Sequence, residues 1–153
     1  MIPRYTREEM GKIWSEENKF RKWLDIEIAS LEGWNSIGVI PDNALNDIRN
    51  NARLDIEKIN LIEKTTGHDV IAFVEQVGET AGEYGHYIHY GLTSSDILDT
   101  SLALQLREAG SLLMEDIDIV IGTLKEKSLA LRDTFMMGRT HGIHAEPMTL
   151  GFK

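Results

Sequence analysis

The side chains best suited to proton chemistry in this chain are its histidines. There are five, and all lie in glycine-containing segments: Gly67-His68-Asp69, "GHYIHYG" at 85–91 with His86 and His89, and "GRTHGIHAEP" at 138–147 with His141 and His144. Imidazole changes charge near neutral pH, so it can give or take a proton under ordinary conditions. A lone histidine is more often structural or solvated, but clustering in glycine-framed segments, where binding groups tend to be held, shifts the balance towards function. Two chemistries fit the clusters. Both His pairs repeat at a three-residue spacing, so each could supply two metal ligands, with Asp69 or Glu146 completing a site. The metalloprotease motif, however, needs a glutamate after the first histidine and a four-residue spacing, and neither pair has them. The second chemistry is acid–base work on an anionic substrate. "GLTSSDILDT" at 91–100 sets Thr93, Ser94 and Ser95 at the start of a long helical pattern. Hydroxyl donors and unpaired amides at the positive end of a helix dipole suit a carboxylate or phosphate. Thr93 with Asp96 also reads as a capping box, which accounts for one hydroxyl but not three. Arg4-Tyr5 adds a cation and a phenol; alone, that pair is an ordinary surface feature. The acid–base reading is preferred, with no metal and no cofactor expected.

The elements that must position these groups read as helices. Thr6 with Glu9 has the capping-box pattern, and Ser15 with Glu16 and Glu17 starts a second helix whose acids suit the dipole. Phe20, Trp23, Leu24, Ile28 and Leu31 recur at helical spacing. Gly38 and Pro41 punctuate the chain before short helices expected over 42–51 and 55–65. A further helix follows His68-Asp69 and weakens between Gly78 and Gly85. From about Ser95 to Arg132, Leu102, Leu106, Ala109, Leu113, Ile117, Val120, Leu124, Ser128 and Leu131 mark one face of a helix roughly 55 Å long. That exceeds a small domain, so much of the stripe needs partners beyond the first hundred residues, as in helical bundles. Gly91 marks the best domain seam. The composition, 42% apolar and 27% charged with a formal charge of −9, is that of an ordinary globular protein and argues against nucleic-acid binding through a positive field. There is no cysteine, no membrane-length apolar run and no signal-peptide pattern, so a cytoplasmic protein without a membrane partner is expected.

The motifs "RY" at 4–5, "GHDV" at 67–70, "HYGLTSSDILDT" at 89–100 and "GRTHGIHAEP" at 138–147 together resemble the bacterial adenylosuccinate lyase family, within the fumarase, aspartase and argininosuccinate lyase superfamily. The carboxymuconate cycloisomerases are a near alternative, but "TSSD" with "THGIHAEP" favours the first. The resemblance implies an all-α fold: an N-terminal helical domain over 1–93, then the first long helix of an incomplete central bundle over 94–153. It implies elimination of fumarate from adenylosuccinate, and from the succinyl carboxamide ribotide of purine synthesis, within a homotetramer whose sites draw on three subunits. By the same resemblance His141 is the general acid, His68 supports it, and Arg4, Tyr5, Gly67, His68, Asp69, Thr93, Ser94 and Thr140 bind the purine nucleotide substrate. Ser95, His86, His89 and His144 rank second. The family's base is a serine on a loop of a later segment, so the 153 residues read as an N-terminal portion, inactive alone. "MTLGFK" at 148–153 reads as the opening of a next helix. A different class of function, a non-catalytic helical assembly module, would rest on the long stripe alone.

Overall fold

The computed structural model describes residues 2–153, and contacts divide the chain into two units, one through Ala109 and one from Gly110. The first unit is helical. A short 3-10 turn, Pro3–Tyr5, precedes α1 (Glu8–Ile13), α2 (Glu16–Ser36), α3 (Asp42–Asn51), α4 (Ile56–Thr66), α5 (Asp69–Thr80), a second 3-10 segment (Gly82–Tyr87) and the start of α6 (Ser94–Ala130). Polar caps set the boundaries. Ser15 accepts the Asn18 amide at 3.1 Å and Asp55 accepts the Lys58 amide at 3.0 Å, each satisfying an otherwise orphan donor. The expected Thr6–Glu9 box does not form. The Thr6 hydroxyl donates back to the Ile2 carbonyl, and Glu9 pairs with Arg7 at 3.1 Å. A hydrogen bond from Glu9's own backbone amide, reinforced by Arg7, holds that carboxyl below the usual carboxylate range.

The core gathers on the face of α2 that carries Phe20, Trp23 and Leu31, packed against Val70, Phe73 and Val77 of α5 and Ile48 of α3. Phe20, Trp23 and Phe73 form an aromatic triad with ring centroids 5.0–6.1 Å apart, which fixes α2 against α5 through one stacked contact, Phe20 on Phe73, and one edge-to-face contact, Trp23 on Phe73. The buried face of α6 is Ile97, Ser101, Gln105 and Ala109. Of the stripe read from sequence, Ala109 lies on this buried face, whereas Leu102 and Leu106, one position round, are exposed. The small and polar face is buried because each polar group finds a partner. Ser101 accepts the Trp23 indole N–H at 3.0 Å, and Gln105 donates to the Ile13 carbonyl at 2.8 Å.

In the second unit, Leu113, Ile117, Val120 and Leu124 lie open on α6. Beyond it β1 (Phe135–Thr140) and β2 (Ile143–Thr149) form an antiparallel hairpin, with Phe135 opposite Thr149 and Thr140 opposite Ile143. Between the Met137–Pro147 and Arg139–His144 pairs, Gly138 faces two residues, a bulge. Residues 138–147, which the sequence left without an assigned element, lie in this hairpin, and "MTLGFK" opens no helix, contrary to expectation: Met148 and Thr149 end β2 and a turn follows. The Gly151 amide bonds the Leu131 carbonyl at 2.9 Å and Ser128 donates to the Gly151 carbonyl at 2.7 Å, closing that turn on the end of α6.

Candidate functional site

The α4–α5 junction and the start of α6 meet in the first unit. α4 ends at Gly67 in the left-handed conformation, and His68 takes the N-cap position of α5. There Nδ1 accepts the Ile71 amide at 3.4 Å, a long bond, with the Asp69 carboxylate 3.6 Å away. With Nδ1 as acceptor, the proton of the neutral ring lies on Nε2, which faces the Ser94 hydroxyl at 3.4 Å. Asp69 itself accepts the Val70 amide at 2.8 Å. A helix-capping imidazole is thus coupled to a hydroxyl on the first turn of another helix. Beside it, Asp96 reaches back to the Thr93 amide at 2.8 Å. This is the carboxylate half of the expected capping box; the hydroxyls of Thr93 and Ser95 have no hydrogen bond among the described residues and both residues are exposed. The first turn of α6 therefore offers free hydroxyls where helix amides favour an anion.

The turn leading into α6 is held by α2. His89 has φ +68, rare for a residue with a side chain, and Gly91 follows at φ +73. Glu27, with no exposed surface, accepts the His89 amide at 2.8 Å and sits 2.7 Å from its Nδ1. Trp34, two turns further along α2, donates to the Tyr90 carbonyl at 3.1 Å and stands edge-on to the Tyr90 ring. Neither Glu27 nor Trp34 was singled out from sequence. The signal was present: Glu27 occupies a core position in the Phe20, Trp23, Leu31 series, where a charge demands a partner.

The other candidates of the first unit have partners of their own. His86 is exposed, lies at a tilt to the Tyr87 ring with centroids 4.2 Å apart, and has Nδ1 3.0 Å from the Glu83 carbonyl. Arg4 lies over the Tyr5 ring at 4.7 Å, both exposed. In the second unit, His141 and Gly142 form the two-residue hairpin turn with φ +51 and +76, the positive pair that a type I′ turn requires. The His141 ring is exposed without a hydrogen-bond partner among the described residues. Thr140 closes β1, and His144 Nε2 lies 3.2 Å from the Arg139 guanidinium, for which it serves as acceptor. Among the described residues no three His, Asp or Glu side chains are grouped to hold a metal, and no helix is long and apolar enough to cross a membrane.

A helical scaffold that sets imidazoles and hydroxyls at helix ends is one that can move protons beside a bound anion, and its sequence places it in a defined class. The chain belongs to the lyase family, which it matches over residues 4–153. Its curated relatives are more particular. It is 53% identical over 156 residues to adenylosuccinate lyase of Aquifex aeolicus and 48% identical over 153 residues to that of Bacillus subtilis, covering all of this chain and 36% of each of those proteins. Among solved structures, 3-carboxy-cis,cis-muconate lactonizing enzyme from Pseudomonas putida superposes with a TM-score of 0.89 at 34% identity, over 96% of this chain and 35% of that one. Fumarate lyase from Mesorhizobium sp. BNC1 gives 0.88 at 31%, over 97% and 37%. The chain thus spans 36% of the length of the curated relatives it matches.

Proposed function

We propose that the protein carrying this chain eliminates fumarate from adenylosuccinate, leaving AMP, and acts in the same way on the succinyl-aminoimidazole carboxamide ribotide of purine biosynthesis. The observation that carries this reading is the identity of 53% and 48% to two adenylosuccinate lyases across the whole chain. In the reaction, a proton leaves the carbon beside a carboxylate, and the charge spreads into that carboxylate. Thr93 and Ser94 grip it, and donors aimed at developing charge lower the barrier. His141 protonates the departing nitrogen, for which an imidazolium is the suitable acid near neutral pH. Thr140 orients substrate beside it, and His68 supports the acid, with Gly67 and Asp69 shaping the segment that holds it. Arg4 and Tyr5 bind the nucleotide. Ser95, His86, His89 and His144 act from the margin.

The exposed, unpartnered hydroxyl of Thr93, the His68–Ser94 contact and the open His141 ring all support these roles. The base comes from chain not included in these 153 residues, so they are inactive alone. Sites shared between copies call for a cytoplasmic homotetramer, with the central bundle starting at residue 94. The test is fumarate release from adenylosuccinate by the full-length protein. No release, with turnover of a carboxymuconate instead, would favour the second reading that the Pseudomonas putida superposition supports.

A further inference from the structure

Among the described residues Glu27 is a charged side chain placed wholly inside the core, and no step of the proposed reaction uses it. Burying a carboxylate is unfavourable unless hydrogen bonds compensate, and here both oxygens are spent on one residue. Oε2 takes the His89 amide and Oε1 the ring Nδ1. A carboxylate has only acceptors, so Nδ1 carries the proton. The remaining ring nitrogen, Nε2, has no hydrogen-bond partner among the described residues. It is also solvent-accessible, since no buried side-chain nitrogen or oxygen there is left unpaired. His89 is therefore fixed twice. Its backbone is pinned in the left-handed conformation, and its ring is locked with a bare or protonated Nε2 directed away from Glu27. The fixed residue opens the turn that runs through Gly91 to Thr93 and Ser94.

We propose that Glu27 is a positioning residue: it sets the tautomer of His89 and the course of the 89–94 turn, and so prepares the anion-binding end of α6. The role in turnover rests on the proposed lyase reaction, whereas the tautomer does not. Glu27→Gln separates the two. The backbone amide claims the amide oxygen of Gln, which turns the NH2 towards the ring and requires Nδ1 to accept. The tautomer then reverses while shape is kept.

The experiment uses the full-length protein labelled with 15N-histidine, read by magic-angle-spinning NMR, with the His89 signals assigned by their loss in His89→Asn. The expected result is a protonated Nδ1 in the wild type and a bare Nδ1 in Glu27→Gln. A bare Nδ1 in the wild type overturns the proposal, and that measurement stands even where Glu27→Gln fails to fold. In parallel, Glu27→Gln should lower kcat/KM for adenylosuccinate by about 10- to 100-fold, the worth of one hydrogen bond to a charged group. In a His89→Asn background, where Asn tolerates the left-handed backbone, the same change should cost less than about twofold, because coupled residues are not additive. An equal loss in both backgrounds overturns the proposal, since Glu27 would then act through packing. A wild-type protein that releases no fumarate refutes the proposed reaction instead, and the NMR result then decides the role of Glu27.

Discussion

Gly91 lies against the Trp34 ring of α2, and Gly91→Ala should be expensive for two separable reasons. Its φ of +73 disfavours any side chain, at about 1–2 kcal/mol. A Cβ at this position would also lie 2.9 Å from Cζ2 of Trp34 and 3.4 Å from its Nε1. The neighbour is a ring braced by its hydrogen bond to the Tyr90 carbonyl and its edge contact with the Tyr90 ring, so it can yield only by giving up those contacts. One net hydrogen bond and one aromatic pair put that second cost at roughly 1–3 kcal/mol. The variant should therefore lose roughly 2–5 kcal/mol in urea unfolding followed by far-UV circular dichroism. In a Trp34→Ala background the steric component disappears and Gly91→Ala should cost only the backbone strain, about 1–2 kcal/mol. A single-variant loss below about 0.5 kcal/mol would refute the reasoning, on the scale of ordinary surface changes. So would an undiminished loss in the Trp34→Ala background, because the indole would then not be the obstacle.

Three further outcomes follow from particular contacts. His68→Ala removes the N-cap of α5, and calorimetry should show about 0.5–2 kcal/mol of lost stability, apart from any effect on turnover. In the full-length protein His141→Asn, which keeps a residue tolerant of φ +51, should reduce kcat by about 100-fold or more with an unchanged melting temperature. A fall in melting temperature in step with activity would count against the acid assignment. Gly122→Ala should instead stabilise: nothing lies within 4 Å of the added Cβ, and the gain of helix propensity is about 0.5–1 kcal/mol in a urea titration.

The helices of the first unit were legible because their signals are local. Ser15 caps α2 as its sequence suggests, and the Phe20-Trp23-Leu31 spacing finds the core face directly. α6 was legible in extent but not in orientation. Periodicity selects the most apolar stripe, whereas the buried stripe contains Ser101 and Gln105, whose partners Trp23 and Ile13 are far away in sequence. The hairpin was illegible for a different reason. Gly138 breaks the alternation that marks a strand, and Pro147 argues against one unless both strands are edges, as they are in a two-stranded sheet. At the candidate site, residue types were readable but pairings were not. Nothing in "GHDV" says that His68 will face Ser94, and nothing in "HYIH" says that His89 will be claimed by Glu27. Such partners are set by how helices cross, which no local pattern encodes.

The uneven clothing of α6 also has a consequence for its breathing. An isolated helix frays from its ends, where hydrogen bonds are fewest. Here the N-terminal stretch is anchored by Ile97, Ser101, Gln105 and Ala109, and the far end by Ser128 and Leu131 bonded to Gly151. Between them lie Gly110, Gly122 and an almost wholly exposed surface. Among the hydrogen-bonded amides of α6, exchange should therefore be fastest in the middle of the helix, in the window after Ala109 and before Ser128. Whatever comes to cover Leu113, Ile117 and Val120 would register first as slowed exchange in that window.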